Sequence, residues 1–376
     1  MKNIKFADLF CGCGGMSIGL VHAGFDDSIS ADFWDIAKLN YTSYHLLSNS
    51  KFFQTNMFID SDKEELIEAL KKEKIDLLAG GPPCQGFSTL GKREDKDKRN
   101  TLVESYLDVA TKVMPKMIIM ENVPAIQSMR HESGMKYPEY AKKYLESKGY
   151  YAATTFIDGS QVGLSQTRKR LFLIAVRKDE LIELDNFSVI LSEEIKKNQK
   201  CSNYKTVRDA IGDLPRLQSG EGSDELVTDK GVIFNHYVFK YKNDILARIA
   251  SVPMGGGLQD IPDELLSNHL KKMKRGGYGS GGFVKNLYGR LNWNEPSGTI
   301  VAGIKKVTCG RYFHPEDNRL LTVREAARLQ SFPDDYKFLG GLIDQYTVVG
   351  NAVPPKFSEL IGKALLSILK DYGRKK

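Results

Sequence analysis

The first half of the chain alternates short apolar runs with longer stretches in which apolar residues recur every three or four positions. Apolar runs predict strands, and the longer period predicts helices. The predicted strands are 5–10, 29–31, 75–79, 116–120, 151–157 and 171–176, and the predicted helices are 17–23, 60–74, 103–113 and 137–147. This alternation predicts an α/β fold, with a mostly parallel sheet and helices on both faces. Such sheets bind ligands at the carboxyl ends of their strands.

The pattern changes at about residue 177, where charged and polar residues dominate and Gly and Pro interrupt the chain often. We expect a separate, smaller and irregular lobe there. A helical pattern returns at 323–330, and 355–369 predicts an amphipathic closing helix. The predicted organisation is a catalytic and cofactor-binding domain at 1–180, a second domain at 181–320, and a C-terminal return at 321–376 that completes the first domain.

Composition narrows the class of protein. The 376 residues are 41% hydrophobic and 27% charged, which is typical of a water-soluble protein. No apolar run approaches the roughly 20 residues of a membrane span. The five cysteines have no regular spacing and match no zinc motif, so we expect reduced thiols, no metal site and a cytoplasmic protein.

The formal net charge of +7 is unevenly distributed. The segment 265–311 contains nine basic residues and one acidic residue, together with a glycine cluster and interleaved aromatic rings. Phosphates attract such charge, and bases stack on such rings, so the segment suits a nucleic-acid surface. A solvated loop explains the composition equally well at this point.

Glycines follow the first predicted strand in the string DLFCGCGG, at 8–15. Glycines at a strand-to-helix turn let a ligand approach the backbone and leave the amides of the helix N-terminus available. Asp32 ends the second strand, where an acid can accept both hydroxyls of a ribose. A nucleoside-bearing cofactor is indicated, although a plain tight turn is the alternative.

Residues that can carry chemistry follow two further strands and precede the last one. Cys84, in GGPPCQGFS, is held rigidly by two prolines, as a nucleophile requires, although a lone cysteine is more often a small buried apolar residue. Glu121 follows the strand 116–120 and can act as an acid if burial raises its pKa. Arg168 and Arg170, two residues apart in QTRKR, face one side if the backbone is extended.

Five motifs occur in order along the chain: DLFCGCGG, PPCQGFS, ENVP, QTRKR and GNAVPP. In this order and spacing they resemble the DNA cytosine-5 methyltransferases, over about 4–176 and 290–370. The resemblance implies a Rossmann-like fold of the S-adenosylmethionine-dependent methyltransferases, plus a smaller irregular target recognition domain. It also implies methyl transfer from S-adenosyl-L-methionine to C5 of a cytosine within a specific double-stranded DNA sequence.

The same resemblance implies the catalytic roles. The Cys84 thiolate adds to C6 of a cytosine that is flipped out of the duplex, so that C5 can take the methyl group. Glu121 hydrogen-bonds N3 and the exocyclic amine, while Arg170 and Arg168 bind the O2 side. No motif identifies the base that removes the C5 proton.

Cofactor contacts are implied residue by residue. Phe10, Gly12 and Gly14 border the methionine part, Asp32 takes the ribose, and Phe33 lies against adenine. Asp32 and Phe33 replace the commoner glutamate and tryptophan of the family, and Asn56 replaces an aspartate that reaches the adenine amine. The predicted pocket is completed by Pro83, Leu102, Asn351 and Ala352.

DNA contacts are expected from two segments. The stretch 88–99 resembles the family's mobile catalytic loop, and we expect Gln85, Ser88 and Arg99 to contact DNA around the flipped base. The recognition domain offers basic candidates, with Thr299 and Ile300 as the family's Thr-aliphatic pair. The basic candidates are Lys271, Lys272, Lys274, Arg275, Lys285 and Arg290, and Thr299 is expected to contact DNA as well.

The resemblance to compact bacterial and phage enzymes implies a monomer that is cytoplasmic, associated with the nucleoid and not bound to a membrane. Its expected partners are double-stranded DNA and a cognate restriction endonuclease. Two alternatives stay open. One is methylation of cytosine in transfer RNA by the RNA-acting branch of the family, although GFS after Cys84 and Gln85 and the long second lobe favour DNA. The other is a sequence-specific DNA-binding regulator without catalysis.

Overall fold

The computed structural model describes residues 4–83, 101–199, 205–276 and 286–374. The chain divides into two compact units, the first made of 1–162, 169–201 and 352–376 and the second of 163–168 and 202–351. The predicted domain limits at 181 and 321 therefore differ from this division, in which the second unit continues to residue 351. The assignment of functions to the domains stays a prediction.

A seven-stranded sheet forms the centre of the first unit, in the order β3-β2-β1-β4-β5-β7-β6. Its strands are Lys5–Leu9 (β1), Asp26–Asp32 (β2), Lys51–Gln54 (β3), Leu77–Gly80 (β4), Met117–Asn122 (β5), Tyr150–Asp158 (β6) and Lys169–Arg177 (β7). The helices are Gly15–Ala23 (α1), Asp35–Ser43 (α2), Asp60–Glu73 (α3), Thr101–Val113 (α4), Tyr137–Ser147 (α5), Phe187–Asn198 (α6) and, in the C-terminal return, Pro355–Tyr372 (α12). Every strand and helix predicted for the first half overlaps one of these elements, whereas α2, β3 and α6 were not predicted.

The sheet is parallel except at β7, which runs antiparallel to both β5 and β6. Only residues 159–168 connect β6 to β7. A crossover between parallel neighbours needs a dozen or more residues, usually with a helix, so this connection returns the chain in the opposite direction. The mostly parallel sheet is confirmed, and its exception follows from the length of one loop.

Helices cover both faces of the sheet. Ala7 and Leu9 on β1 belong to the apolar cluster that α3, α4 and α5 close from one side. Phe172 on β7 packs edge-to-face on Phe357 of α12, with ring centroids 6.1 Å apart, and α12 also packs on α1. Burial of apolar surface on both faces is the main stabilising contribution, and polar residues end β2, at Asp32, and β5, at Glu121 and Asn122.

The contact between α1 and α12 depends on glycine. A Cβ added to Gly19 would overlap the carbonyl oxygen of Pro355 and the Oγ of Ser358. We expect Gly19→Ala to lower the free energy of unfolding by about 2 kcal/mol, because the helices must separate to admit the methyl group. Urea unfolding measures this loss. The control Gly341→Ala, whose Cβ would meet nothing closer than 3.5 Å, should change it by less than about 1 kcal/mol, and equal losses would contradict the packing argument.

The second unit is built from short strands and helices. Its strands are Gly222–Thr228 (β8), Gly231–Tyr237 (β9), Gly289–Arg290 (β10) and Arg311–Phe313 (β11), and its helices are Val207–Ile211 (α7), Asn243–Ala250 (α8), Asn268–Lys274 (α9), Val323–Leu329 (α10) and Leu342–Asn351 (α11). β8 and β9 form an antiparallel hairpin in which Thr228 pairs with Gly231. The described part of the lobe thus consists of one hairpin and otherwise short elements joined by connections without regular structure.

The described residues contain neither a membrane-spanning helix nor a candidate metal cluster. Within those ranges, no helix combines the length and hydropathy needed to cross a bilayer. In the same part of the chain, no three His, Cys, Asp or Glu side chains come together in a way that could hold a metal ion.

Candidate active site and cofactor-binding turn

The turn between β1 and α1 has an unusual backbone. Phe10, Gly12 and Gly14 all have positive φ, at 59°, 53° and 81°. A Cβ on Gly14 would also overlap the Cδ1 of Leu47, whereas the space beside Gly12 is open. Gly14 is thus required by conformation and by packing, and Gly12 leaves room for a ligand to approach the backbone.

Asp32 connects this turn to the end of β2. Its Oδ2 accepts a hydrogen bond from the Gly12 amide at 3.0 Å, and its Oδ1 accepts one from the Trp34 amide at 3.1 Å. Burial raises the pKa of Asp32, although these amide bonds oppose the shift. A carboxylate has about four acceptor positions, so these amides leave acceptor capacity for a ribose hydroxyl.

Two residues beyond the strand ends suit an adenine ring. The Phe33 side chain is 67% exposed, so its ring face is accessible for stacking. The Asn56 Oδ1 accepts a hydrogen bond from the Phe58 amide at 3.1 Å, which fixes the side chain and leaves its NH₂ group and one oxygen lone pair. Together with the turn and Asp32, this set of groups fits S-adenosylmethionine.

The other predicted cofactor residues differ in burial. Leu102 in α4 and Ala352 before α12 are buried, Phe10 and Pro83 are half-buried, and Asn351 is exposed. Ala352 belongs to the first unit, whereas Asn351 ends α11 in the second. Their role in a cofactor pocket stays a prediction.

Glu121 and Arg170 form a buried ion pair at the carboxyl end of β5. The Arg170 Nε lies 2.9 Å from the Glu121 Oε1, and the side chains are 12% and 11% exposed. Burial lowers the pKa of the Arg170 guanidinium, and the Glu121 carboxylate opposes that shift. An arginine stays protonated in proteins, so a fixed positive charge orients the carboxylate.

The ion pair lies next to the segment that leads to Cys84. A Cβ on Gly81 would lie 3.4 Å from the Glu121 Oε2, and the Asn122 Nδ2 donates to the Pro82 carbonyl oxygen at 3.1 Å. Asn122 therefore holds the backbone at Pro82, two residues before Cys84. Cys84, Gln85, Ser88, Arg99 and Lys285 lie outside the described residues.

Tyr106 is a supporting residue that the sequence did not single out. Its hydroxyl lies 3.0 Å from the Leu78 carbonyl oxygen and 2.9 Å from that of Ile119, and so joins β4 to β5. A Cβ on Gly80 would lie 2.6 Å from the Tyr106 ring, so glycine is needed there. A tyrosine on the apolar face of a predicted helix was the available signal, because a buried hydroxyl needs a partner.

Arg168 and Arg170 have different partners. Arg168 precedes β7, is buried, and donates from Nη1 to the Ile300 carbonyl oxygen at 2.7 Å. The Ile300 amide in turn donates to the Gln166 Oε1 at 2.8 Å, so the segment 163–168 is fixed within the second unit. The Thr299 hydroxyl donates to the Thr167 carbonyl oxygen at 3.1 Å in the same place.

The predicted DNA-contacting residues of α9 vary in accessibility. Lys272 and Arg275 are exposed and Lys271 is half-buried. The Lys274 Nζ donates to the Ile261 carbonyl oxygen at 2.7 Å and to Asp263 at 3.0 Å, and Arg275 also pairs with Asp263 at 3.0 Å. Asp263 thus offsets the charge at the end of α9, and Lys272 is the exposed lysine of this helix.

The structure contradicts the predicted DNA contact of Arg290. It is 3% exposed, and all of its side-chain nitrogen atoms donate within the chain. Nε donates to Val252 O, Nη1 to His314 O and Asp317 O, and Nη2 to Ile249 O and Asn318 Oδ1. A guanidinium has five N–H donors, so none remains for a phosphate or a base, and Arg290 stabilises the second unit instead.

This distinction predicts different salt dependences of DNA binding. We expect Lys272→Ala to reduce the slope of log K against log salt concentration by about 1, the contribution of one phosphate contact. Arg290→Gln should leave the slope unchanged and lower the thermal stability, because buried carbonyls lose their donors. Fluorescence anisotropy with a labelled duplex, from about 50 to about 200 mM salt, measures the slope. An equal loss of slope in both variants would contradict the assignment.

The strand order, the glycine turn after β1 and the acid at the end of β2 define a Rossmann-like, S-adenosylmethionine-dependent methyltransferase fold. A model of the family described as C-5 cytosine-specific DNA methylase matches residues 4–367. The chain belongs to this family and is a DNA cytosine-5 methyltransferase.

The chain is also similar to individual methyltransferases in sequence and in fold. The chain is 33% identical to the Type II methyltransferase M1.HphI of Haemophilus parahaemolyticus, over 97% of this chain and 87% of that protein. It is 30% identical to the Type II methyltransferase M.AgeI of Thalassovita gelatinovora, over 98% and 99%. A crystal structure of a putative DNA modification methyltransferase encoded within a prophage of E. coli has the same fold, with a TM-score of 0.72, 23% identity and coverage of 98% and 100%.

Proposed function

We propose that the protein methylates C5 of one cytosine within a specific double-stranded DNA sequence, with S-adenosyl-L-methionine as the methyl donor. Cys84 attacks C6 of a cytosine that is flipped out of the duplex. The observation that supports this proposal most is the buried pair of Glu121 and Arg170, which lies against Gly81, three residues before Cys84.

The pair matches what the reaction requires. C5 of cytosine is too electron-poor to attack a methyl group, and addition of a thiolate to C6 makes C5 nucleophilic. Charge then develops on the ring. Glu121 acts as the acid: it donates a proton to N3 and accepts a hydrogen bond from the exocyclic amine, and the fixed charge of Arg170 orients Glu121 and binds the O2 side.

The reaction is completed when a base removes the C5 proton, the N3 proton returns to Glu121 and the C6–S bond breaks, which releases the Cys84 thiolate and 5-methylcytosine. The cofactor supplies an electrophilic methyl group when it is bound. The chain holds it with Asp32 at the ribose, Phe33 at the adenine and the open backbone at Gly12. Arg168 assists at the O2 side of the base, with a guanidinium that Ile300 orients.

Trapping on 5-fluorocytosine tests the chemistry. A base can remove a proton from C5 but cannot remove fluorine. The covalent bond between C6 and Cys84 should therefore persist after methyl transfer. We expect a denaturation-resistant complex with fluorinated duplex DNA and cofactor, and none with Cys84→Ser. Absence of a complex with a pool of duplexes of random sequence would contradict the covalent mechanism on DNA, whereas a complex with transfer RNA alone would favour the RNA-acting alternative.

We further propose that the enzyme is the modification enzyme of a restriction-modification system. The two relatives named above are both called Type II methyltransferases, over nearly the whole of this chain. A cytoplasmic, nucleoid-associated monomer with a cognate endonuclease fits this role. Protection of methylated plasmid DNA from a matching endonuclease tests it, and a DNA-binding regulator without catalysis would leave no lasting protection once the protein is removed from the plasmid.

A further inference from the structure

A chain of hydroxyl and carboxyl groups, buried except for the half-buried Asp27, lies beneath the glycine turn and has no part in the proposed reaction. The Ser17 hydroxyl donates to the Asp8 Oδ2 at 2.6 Å. The Tyr41 hydroxyl lies 2.8 Å from both the Ser17 Oγ and the Asp27 Oδ2. Ser50 donates to the Asp27 Oδ1 at 3.0 Å. The two carboxyl groups are therefore linked through Ser17 and Tyr41.

This network is in contact with the cofactor-binding turn. A Cβ on Gly14 would lie 3.2 Å from the Tyr41 ring, so the ring packs directly on the turn. Ser17 is in the first turn of α1, and Asp8 is two residues before Phe10. A charge in the network is consequently close to the backbone that would border the methionine part of the cofactor.

The charges of the network are not compensated. Asp8 is 1% exposed and its Oδ1 has no hydrogen-bond partner. Among the described residues, neither Asp8 nor Asp27 forms an ion pair with a Lys or Arg side chain, and burial is the largest cause of the shift in the pKa of each. Burial raises the pKa of each of these two carboxyl groups to about 7. Each is thus largely protonated below neutral pH and ionised above it.

The other titratable groups that face the network are also acids. They are Asp32 at the end of β2, Cys11 and Cys13 in the turn, Tyr41 on α2 and Tyr106 on α4. Burial raises the pKa values of Asp32, Cys11, Tyr41 and Tyr106. Each of these groups is therefore neutral or negative at every pH and supplies no positive charge to the network.

We propose that Asp8 and Asp27, linked through Ser17 and Tyr41, act as a negative centre that makes the turn prefer a cationic sulfonium ligand to the neutral thioether product. This inference rests on the proposed use of S-adenosylmethionine. The two ligands differ in one methyl group and one positive charge at sulfur. An uncompensated carboxylate in a low-dielectric environment attracts that charge without contact, and the product lacks it.

The sign of the pH dependence follows from the raised pKa values. Below about pH 6 both carboxyl groups hold protons, and the preference for the cation is small. Above about pH 8 both are ionised, and the preference is full. We expect the ratio of the Kd of S-adenosylhomocysteine to that of S-adenosylmethionine to rise by about threefold to tenfold between these limits.

Isothermal titration calorimetry on the full chain, without DNA, measures both Kd values at pH 6.0 and 8.5 and constant ionic strength. Asp27→Asn should remove much of the rise, and Asp8→Asn is a second variant at the other end of the network. Asp26→Asn, an exposed acid on the same strand, should retain the wild-type rise. Ionisation of the ligands is common to all four proteins, so the comparison between variants cancels it.

The outcomes separate this inference from the proposed function. A flat ratio in the wild type, or a full rise in both Asp27→Asn and Asp8→Asn, would overturn the role of the negative centre while the cofactor assignment stands. Failure of the wild type to bind either ligand would overturn the cofactor assignment itself. A rise in the wild type and Asp26→Asn, with loss in either network variant, supports the inference.

Thermal unfolding provides an independent readout. Because the folded carboxyl groups keep protons that the unfolded chain releases at about pH 4, stability is lost as pH rises from about 4 to about 7. Asp27→Asn does not ionise, so its Tm should fall less than the wild-type Tm between pH 5 and pH 8. A parallel fall in both proteins would contradict the ionisation of Asp27.

Discussion

Cys84→Ser is expected to abolish methyl transfer, with a fall in kcat of at least about 10³-fold. A serine hydroxyl is far less ionised at neutral pH than a thiol, and it cannot supply the thiolate that adds to C6. The two side chains have nearly the same shape, so binding of cofactor and DNA should be retained. Transfer of a tritiated methyl group to duplex DNA measures the loss, and calorimetry measures cofactor binding.

The matched control for this substitution is Cys309→Ser, at a half-buried thiol in the second unit. We expect it to retain activity within about twofold, because no step of the reaction uses Cys309. Retention of full activity in Cys84→Ser would contradict the covalent mechanism. A loss of activity in both variants, with a lowered Tm, would show that thiols stabilise the fold instead.

Glu121→Gln is expected to lower kcat by about 10² to 10⁴-fold with little change in the Kd of the cofactor. Glutamine fills the same volume but removes the carboxylate that pairs with the Arg170 Nε at 2.9 Å. The cytosine ring then loses the acid that protonates N3 as negative charge develops, and Arg170 loses its orientation. Steady-state and single-turnover kinetics distinguish the chemical step from product release.

The control for the second prediction is Glu146→Gln, at a surface acid that pairs with Lys142 at 3.7 Å on α5. It should leave kcat unchanged, because exposed pairs of this kind contribute little. An unchanged kcat in Glu121→Gln would contradict the role assigned to the buried pair. A raised Kd for the cofactor with normal kcat would place Glu121 in binding rather than in catalysis.

The fold of the first unit could be predicted from the sequence because its signals are local. Strands such as 75–79 and helices such as 137–147 have apolar residues at the matching period, and α5 begins and ends where that period predicts. The alternating pattern did not predict the reversed direction of β7, although the ten residues at 159–168 are too few for a crossover helix. The fold of the second unit was harder to predict, because long-range pairings such as His236 with Thr322 leave no local pattern in the sequence.

Site residues with a local sequence signal could be predicted, whereas residues that depend on distant partners could not. Asp32, Glu121 and Arg170 were identified because each lies at the end of a strand or in a recognisable motif, and the structure places the last two 2.9 Å apart. Tyr41 and Tyr106 were missed because their function depends on partners from other elements. The predicted DNA contact of Arg290 was wrong, because the sequence does not distinguish a buried arginine that donates to five acceptors within the chain from an arginine on the surface.

The basic segment 265–311 is accordingly less available to DNA than its composition implied. Arg290 is buried, and the Arg311 Nη1 donates to the Gly256 and Arg290 carbonyl oxygens. Lys272 and Lys306 are exposed lysines within the described part of that segment. Recognition by this lobe should therefore depend on fewer phosphate contacts than nine basic residues would suggest.

Bisulfite sequencing of genomic DNA tests the central claim most directly. The chain is expressed in a bacterial host that has no cytosine-5 methylation of its own, beside a parallel culture that expresses Cys84→Ser. We expect protected cytosines at one position of one recurring sequence in the wild-type culture and none in the variant culture. Full conversion of every cytosine in the wild-type culture, with the protein folded and present, would contradict methylation of DNA by this chain.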